Sequence, residues 1–360
     1  MSARVCFVVG ARPNFMKAAP VHRALAALDP AVELVLLHTG QHYDDAMSEV
    51  FFAELGMPRP DEYLGVGAGT HAEQTAKALV GIERVLRERE IDLCVVAGDV
   101  NSTVAGALAA VKLGVKIAHI ESGLRSFDRA MPEEHNRKLT DHLSDVLLTH
   151  SEEADENLAR EGIPVEWVHR VGNTMIDSLL EHVGRAREGR PWERFGVRPG
   201  EYALVTLHRP ALVDNDLQLA NVTDGLIALA GGIPIVFPVH PRTQARLQAS
   251  GGEARLSAAG VHLTAPLGYH DFLGLEAEAQ FVATDSGGVQ EETSWLGVRC
   301  FTLRESNERP VTETLGTNTR IRDLTEIAAL LAEPKPGTPI PLWDGQAGRR
   351  AAEVLRRNLG

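Results

Sequence analysis

The stretch QFVATDSGGVQEETSWLGVRCFTL, residues 280–303, contains a complete strand–turn–helix–strand signal. A β-branched apolar run ends at Asp285. Ser286, Gly287 and Gly288 follow, then a helical pattern with Glu291 and Glu292 in its early turns, then a second apolar run around Cys300. Two continuous apolar strands joined by a helix make a parallel unit covered on both faces. Ser286 suits a helix N-cap, and the glycine pair lets backbone N–H groups approach an oxyanion. The stretch lacks both GxxxxGK[ST] and GxGxxG, so neither a nucleoside-triphosphate loop nor a dinucleotide fold is indicated. It leaves a question: which anion would approach a helix start that also carries two carboxylates.

The same rhythm extends in both directions. VCFVVG is followed by a helix from about Lys17, and VELVLLHTG by a helix from about Asp44. IDLCVVAGD, VKIAHIES and DVLLTH come next. After residue 200 the pattern resumes with YALVTLHR, PIVFPVH, VHLTAP and QFVATD. Between the halves lies GRAREGRPWERFGVRPGE, residues 184–201, read as a helix end plus a connection. The halves also echo each other. LGVKIAHIES (113–122) resembles LGVRCFTLRES (296–306), and each follows a strand ending in an acid, Asp99 or Asp285. The expectation is two similar α/β units in tandem. Their division is placed at residues 1–175, rejoined by a terminal helix at 343–360, and residues 176–342.

The chain has 360 residues, enough for two domains that each bury a core. Hydrophobic content of 44% and charged content of 24% describe an ordinary globular protein. A formal net charge of −13 argues against nucleic-acid or membrane-surface binding, which needs a basic face. No apolar run approaches the ~18 residues of a membrane span, and CFVVG is too short for a signal core. Cys6, Cys94 and Cys300 each lie in an apolar run without metal-ligand spacing, which suits a reducing cytoplasm.

In parallel α/β folds, ligands lie beyond the carboxyl ends of the strands. GARPNFMK (10–17) places Arg12 and Lys17 near a helix start that favours anions. AHIESGLRSFDRAMPEEHNRKLTDH is the densest stretch. Glu121 ends a strand, and Pro132 opens a helix bearing Glu133, Glu134, His135 and Arg137. One of Glu133 and Glu134 is expected to serve the helix start. A strand-end Glu121 and a helix-start Glu facing one cleft could trade protons. His208 and His240 end strands; no HxxxH or HxH spacing marks them as metal ligands. Arg309, in RESNERP, is a candidate anion clamp.

Together these stretches resemble the non-hydrolysing UDP-N-acetylglucosamine 2-epimerases. The resemblance is carried, in order, by GARPNFMK, TGQHYDDAM, VAGDVNST, HIESGLRS, MPEEHNRKLTDH, VGNTMID, LHR, PVHPR, TDSGGVQEE, NERP and GTN, across about residues 5–320. It implies two Rossmann-like domains in a glycosyltransferase-B-like fold, an active site in the interdomain cleft, a homodimer, and a UDP-linked amino sugar as substrate. It also implies inversion at C2 through departure and return of UDP, a scheme that needs no nicotinamide and no catalytic metal. Asp99, Glu121 and Glu133 match the family's acid–base carboxylates, and His208 its strand-end histidine, expected near the diphosphate. Arg12, Lys17, Ser286, Gly287, Gly288 and Arg309 match UDP-holding residues, Arg137 joins the substrate-binding set, and Glu292 matches a ribose-binding glutamate. Uracil is expected near GYHDFL, where His270 replaces a glutamine and Leu275 a phenylalanine of some members. Gln41 and His42 persist from a substrate-activation stretch of bacterial members, but Tyr43 and Asp44 follow them.

Overall fold

A computed structural model describes residues 2–40 and 57–359, apart from the side chain of Arg12. Gln41, His42, Tyr43 and the helix expected from Asp44 lie outside the described residues.

The chain divides into two compact units, Met1–Ser178 with Pro341–Gly360, and Leu179–Ile340. Among the described residues of the first unit, seven strands form one sheet. They are β1 (Arg4–Val9), β2 (Glu33–His38), β3 (Glu62–Tyr63), β4 (Leu93–Ala97), β5 (Lys116–Ile120), β6 (Val146–Thr149) and β7 (Val168–Arg170), in the order 3-2-1-4-5-6-7. Every pairing is parallel. The core strands read as unbroken apolar runs because helices cover both faces. Cys6, Val8, Cys94 and Val96 on one face pack against Ile82 and Val85 of helix His71–Glu88 and Ala105 and Ala109 of helix Asn101–Leu113.

The second unit has six parallel strands: β8 (Ala203–Thr206), β9 (Ile235–Pro238), β10 (His262–Thr264), β11 (Phe281–Thr284), β12 (Arg299–Leu303) and β13 (Asn318–Ile321). Their order is 10-9-8-11-12-13. This repeats the order of β3 to β6 in the first sheet. The echoed segments LGVKIAHIES and LGVRCFTLRES hold β5 and β12, which occupy the same place in their sheets. Asp99 follows β4, and Asp285 follows its counterpart β11.

Sequence and structure differ at three places. The first helix spans Arg12–Leu28, starting before Lys17, because Pro13 is accommodated in its first turn and Asn14 Oδ1 accepts the Ala11 amide at 3.2 Å. The stretch 184–201, expected as a helix end plus a connection, does close helix Thr174–Glu188 and then turns through the 3-10 segment Pro191–Phe195. Its Arg, Ala and Glu residues are good helix formers, but the passage between units falls inside that helix, at Ser178. Short strands β3, β7 and β13 carry too few apolar residues to stand out in the sequence.

The terminal helix Ala347–Arg357 belongs to the first unit. Asp177 caps it, accepting the amides of Ala347 at 3.2 Å and Gly348 at 2.7 Å. Gly348 lies on the backbone of Pro20 in the first helix, where a Cβ would come within 2.8 Å of the Pro20 carbonyl carbon. Gly348→Val therefore overpacks the contact and should cost ~1–3 kcal/mol in urea unfolding. Gly184 is helical with open space around it, so Gly184→Ala should be neutral or stabilise by ~0.5–1 kcal/mol. Equal effects of the two changes would contradict this packing.

Candidate active site

In each sheet the strand order reverses at one point, between β1 and β4 in the first unit and between β8 and β11 in the second. Connections leave such a point in opposite directions, which opens a crevice at the carboxyl ends.

At the first reversal, Gly10 follows β1 with its Cα against Ser102 and Thr39, so no side chain fits there. Asn14 ties β1 to β4. Its Oδ1 accepts the Gly10 amide at 3.2 Å and its Nδ2 donates to the Ala97 carbonyl at 2.7 Å. Lys17 reaches the Glu121 carboxylate, and both side chains are buried. Glu121 holds a left-handed backbone, φ 66°, which is uncommon away from glycine. Gly98 beside it is also left-handed, φ 67°, and a Cβ there would lie 2.9 Å from Lys17 Nζ. Asp99 Oδ2 accepts from Arg137 Nη2 at 2.5 Å, and the Asp99 carbonyl accepts from Asn136 Nδ2 at 2.9 Å. Glu133 is half-buried and has no hydrogen-bond or ion-pair partner among the described residues. Glu134 is the structural member of the pair. It is buried and accepts the Ser126 amide at 2.7 Å and the Ser126 hydroxyl at 2.9 Å. Burial raises its carboxyl, but those bonds together with Arg137 and Lys138 hold it below the ordinary carboxylate value.

A buried ion network supports this edge. His119, on β5, places Nδ1 2.7 Å from Asp141 Oδ1 and Nε2 2.8 Å from the Gly98 carbonyl. Asp141 Oδ2 accepts from Arg125 Nη1 at 2.7 Å and from the Gly123 amide at 3.1 Å. Arg125 also donates to both oxygens of Glu161, at 2.8 and 2.6 Å. Burial works to raise the Asp141 carboxyl, and His119 and Arg125 outweigh it, leaving it below the ordinary value. The network fixes the Gly98 carbonyl and the Gly123 amide, which flank Asp99 and Glu121 in sequence.

At the second reversal the organiser is Asp285. Its Oδ2 accepts the amides of His208 at 2.8 Å and Arg209 at 2.7 Å, and its Oδ1 lies 3.1 Å from His208 Nδ1. Burial pushes the Asp285 carboxyl up, and the His208 ring and the two amides bring it below the ordinary value. The His208 side chain is 38% exposed, so its far ring edge reaches solvent while its near nitrogen is held. Helix Gly287–Leu296 begins beside it. Ser286 occupies the N-cap position, yet its side chain makes no capping bond. The first amides of that helix therefore have no acceptor from the cap side chain, which leaves a helix start suited to an oxyanion.

Several sequence candidates are engaged by the protein itself. Arg309 is buried, with Nε 2.9 Å from Glu291 and Nη1 3.5 Å from Glu308, and its guanidinium covers Gly287. Gly287 is thus needed for the arginine's close approach. Arg137 bridges Asp99 and Glu134. Leu275, placed with the uracil contacts, is wholly buried among Trp192, Tyr202, Leu204 and Val282, and offers no surface to a ligand. His270 Nε2 lies 3.2 Å from His182 Nδ1. Glu292 Oε1 accepts from the Tyr269 hydroxyl at 3.3 Å. His240 caps helix Pro241–Ser250, accepting the Arg242 amide at 3.2 Å. Sequence reasoning assigned no role to Asp285, His119, Asp141 or Glu308. Asp285 stood inside the quoted motif; the others gain their meaning only from partners 16 to 22 residues away or from burial.

The fold and the strand-end sites define a glycosyltransferase-B-like α/β protein. The crystal structure of Methanocaldococcus jannaschii UDP-GlcNAc 2-epimerase in complex with UDP-GlcNAc and UDP matches with a TM-score of 0.91, at 39% identity, over 98% of this chain and 99% of that one. The family model for UDP-N-acetylglucosamine 2-epimerase matches residues 25–356. The UDP-N-acetylglucosamine 2-epimerase of M. jannaschii is 40% identical, covering 98% of both chains. The UDP-2,3-diacetamido-2,3-dideoxy-D-glucuronate 2-epimerase of Pseudomonas aeruginosa is 37% identical over 98% of this chain and 99% of its own. The chain belongs to the UDP-N-acetylglucosamine 2-epimerase family.

Asp141→Asn leaves Arg125 and His119 buried against a neutral group and should cost ~3–5 kcal/mol at pH 7. A depressed carboxyl stabilises above its unfolded value of about 4, and that contribution is lost as pH falls through the folded value. The gap between wild type and variant in urea unfolding should therefore narrow as pH drops from 5 toward 3. A gap unchanged over that range would contradict the assignment.

Proposed function

We propose that the protein is an isomerase that interconverts UDP-N-acetylglucosamine and UDP-N-acetylmannosamine by inverting C2 of the sugar. The observation that carries this is the second unit's reversal point: an uncapped helix start beside His208, itself held by Asp285. That arrangement suits a diphosphate that must leave and return. The solved relative with bound UDP-GlcNAc and UDP supports the same ligand here.

C2–H is not acidic while C1 is an acetal. Breaking the C1–O bond first lets UDP take the electron pair and leaves C1 oxocarbenium-like. A carboxylate then removes the C2 proton and a C1=C2 double bond forms, giving a 2-acetamidoglucal. Protonation of C2 from the opposite face, with UDP oxygen adding to C1, yields the epimer. UDP is regenerated as a substituent, so the reaction is non-hydrolysing. The chemistry uses protons only, and neither a metal nor a redox cofactor is required.

The roles follow from the chain's own groups. Asp99, Glu121 and Glu133 supply the acid–base carboxylates. Arg137 orients Asp99, and Lys17 lies against Glu121 to help move its proton. Ser286 and the Gly288 amide receive the diphosphate, and Arg12 is assigned to the UDP-holding set. His208 donates toward the departing oxygen. Arg309 acts by shaping the helix start over Gly287. Glu292 accepts from the ribose hydroxyls, which answers the opening question: Glu291 is paired with Arg309, and Glu292 addresses the sugar rather than the phosphates. The proposed acid–base carboxylates belong to the unit Met1–Ser178 with Pro341–Gly360, and Ser286, Gly288, His208 and Glu292 to the unit Leu179–Ile340. A homodimer in the cytoplasm completes the reading; the three free, buried thiols accord with that compartment.

The 37% identity to a diacetamido-glucuronate epimerase favours a second substrate, a UDP-linked diacetamido uronic acid. NMR of reaction mixtures separates these. With UDP-N-acetylglucosamine, new anomeric signals of the manno epimer should appear without accumulation of free UDP. Turnover only with the uronate would establish the second reading, and accumulating UDP would mean hydrolysis. Asp99→Asn, Glu121→Gln and Glu133→Gln should each lower kcat by ~10²–10⁴. Near-normal turnover in all three would defeat the assignment.

A further inference from the structure

Helix Tyr269–Ala277 presents two polar side chains toward Glu292 of helix Gly287–Leu296. Tyr269 and Glu276 are seven residues apart, two turns on one helix face. The Tyr269 hydroxyl donates to Glu292 Oε1 at 3.3 Å. Glu276 is wholly buried, and neither of its carboxyl oxygens has a donor among the described residues. The polar group it touches is the Glu292 carboxyl.

No cation contacts Glu276 among the described residues, and two buried carboxyl groups in hydrogen-bond contact are not both ionised there; one must carry a proton and donate it. Glu292 already accepts from Tyr269, and Glu276 has no other partner, so the proton belongs on Glu276. We infer that Glu276 is a neutral positioning residue whose carboxylic O–H donates to Glu292 and, with the Tyr269 hydroxyl, presets Glu292 as an ionised acceptor for a vicinal diol. The inference rests on the reading that Glu292 meets the ribose of the nucleotide. Burial first, then the Glu292 carboxylate, pushes the Glu276 carboxyl well up. Cys300 on β12, a titratable group near it, is a buried thiol that burial pushes up to about 12 and is neutral. A buried carboxylic acid kept neutral in order to donate is a known device for fixing a polar site.

The test uses the full chain and two ligands, UDP and 2′,3′-dideoxy-UDP, with affinities read by calorimetry. Glu276→Leu removes the donor and should weaken UDP about tenfold, while dideoxy-UDP, lacking the diol, is unchanged. Glu276→Gln keeps a donor and should retain UDP affinity. Equal loss for both ligands in Glu276→Leu, no loss for either, or a Gln variant as damaged as Leu would overturn the inference. Infrared spectra decide the matter even if a variant misfolds. Wild type at pH 7 should show the C=O stretch of a neutral carboxylic acid, diminished in Glu276→Gln. Absence of that band in wild type, or its persistence in the variant, overturns the inference. Failure of wild type to bind UDP would instead refute the functional reading, and the infrared band would still judge the proton.

Discussion

Asp285 shows how much of a site one buried carboxylate can organise. It stands one residue beyond β11, where the second sheet reverses its strand order, and it gathers two successive amides and an imidazole from the end of β8. Without it the His208–Arg209 turn would lose the carboxylate that accepts its two amides, and the imidazole would lose its buried neighbour. A buried anion is costly on its own. Here the cost is offset by two amide donors and the neighbouring imidazole, beside a helix start without a side-chain cap. Arg309 contributes to the same helix start from below, pressed onto Gly287 and neutralised by Glu291 and Glu308.

The first unit solves the matching problem with a larger network. Arg125, Asp141 and His119 form a buried polar network that reaches the partly exposed Glu161, and its further hydrogen bonds go to the Gly98 carbonyl and the Gly123 amide. Those are backbone groups of the turns that carry Asp99 and Glu121. Buried ion pairs add little net stability compared with apolar packing, so their benefit here lies in geometry. Two left-handed residues, Gly98 and Glu121, are held at adjacent strand ends. The proposed proton chemistry needs such fixed carboxylates, because a misplaced acid cannot reach a particular face of a sugar carbon.

Much of this was legible in the chain. Continuous apolar strands such as LCVVA and FVAT announced parallel sheets, and the LGVKIAHIES and LGVRCFTLRES echo announced two alike. Strand-end positions directed attention to Asp99, Glu121, His208 and Ser286. What stayed hidden depends on who touches whom. Arg309 reads as an open cation in NERP but is enclosed by two glutamates. Leu275 reads as a pocket residue but faces the core, because the helix turns that side inward. Glu276 reads as a surface acid in LGLEAEAQ, and only its zero exposure reveals it as a buried one. The first helix starts at Arg12, ahead of the expected Lys17, with Pro13 tolerated in its first turn.

The central claim is that UDP leaves, a carboxylate takes the C2 proton, and both return. Incubation of the enzyme with UDP-N-acetylglucosamine in D₂O, followed by ¹H NMR of the recovered nucleotide sugars, tests it most directly. Deuterium should enter C2 of both epimers while the nucleotide remains attached to the sugar in the final mixture. Epimerisation that retains the original hydrogen at C2 through many turnovers would contradict the account.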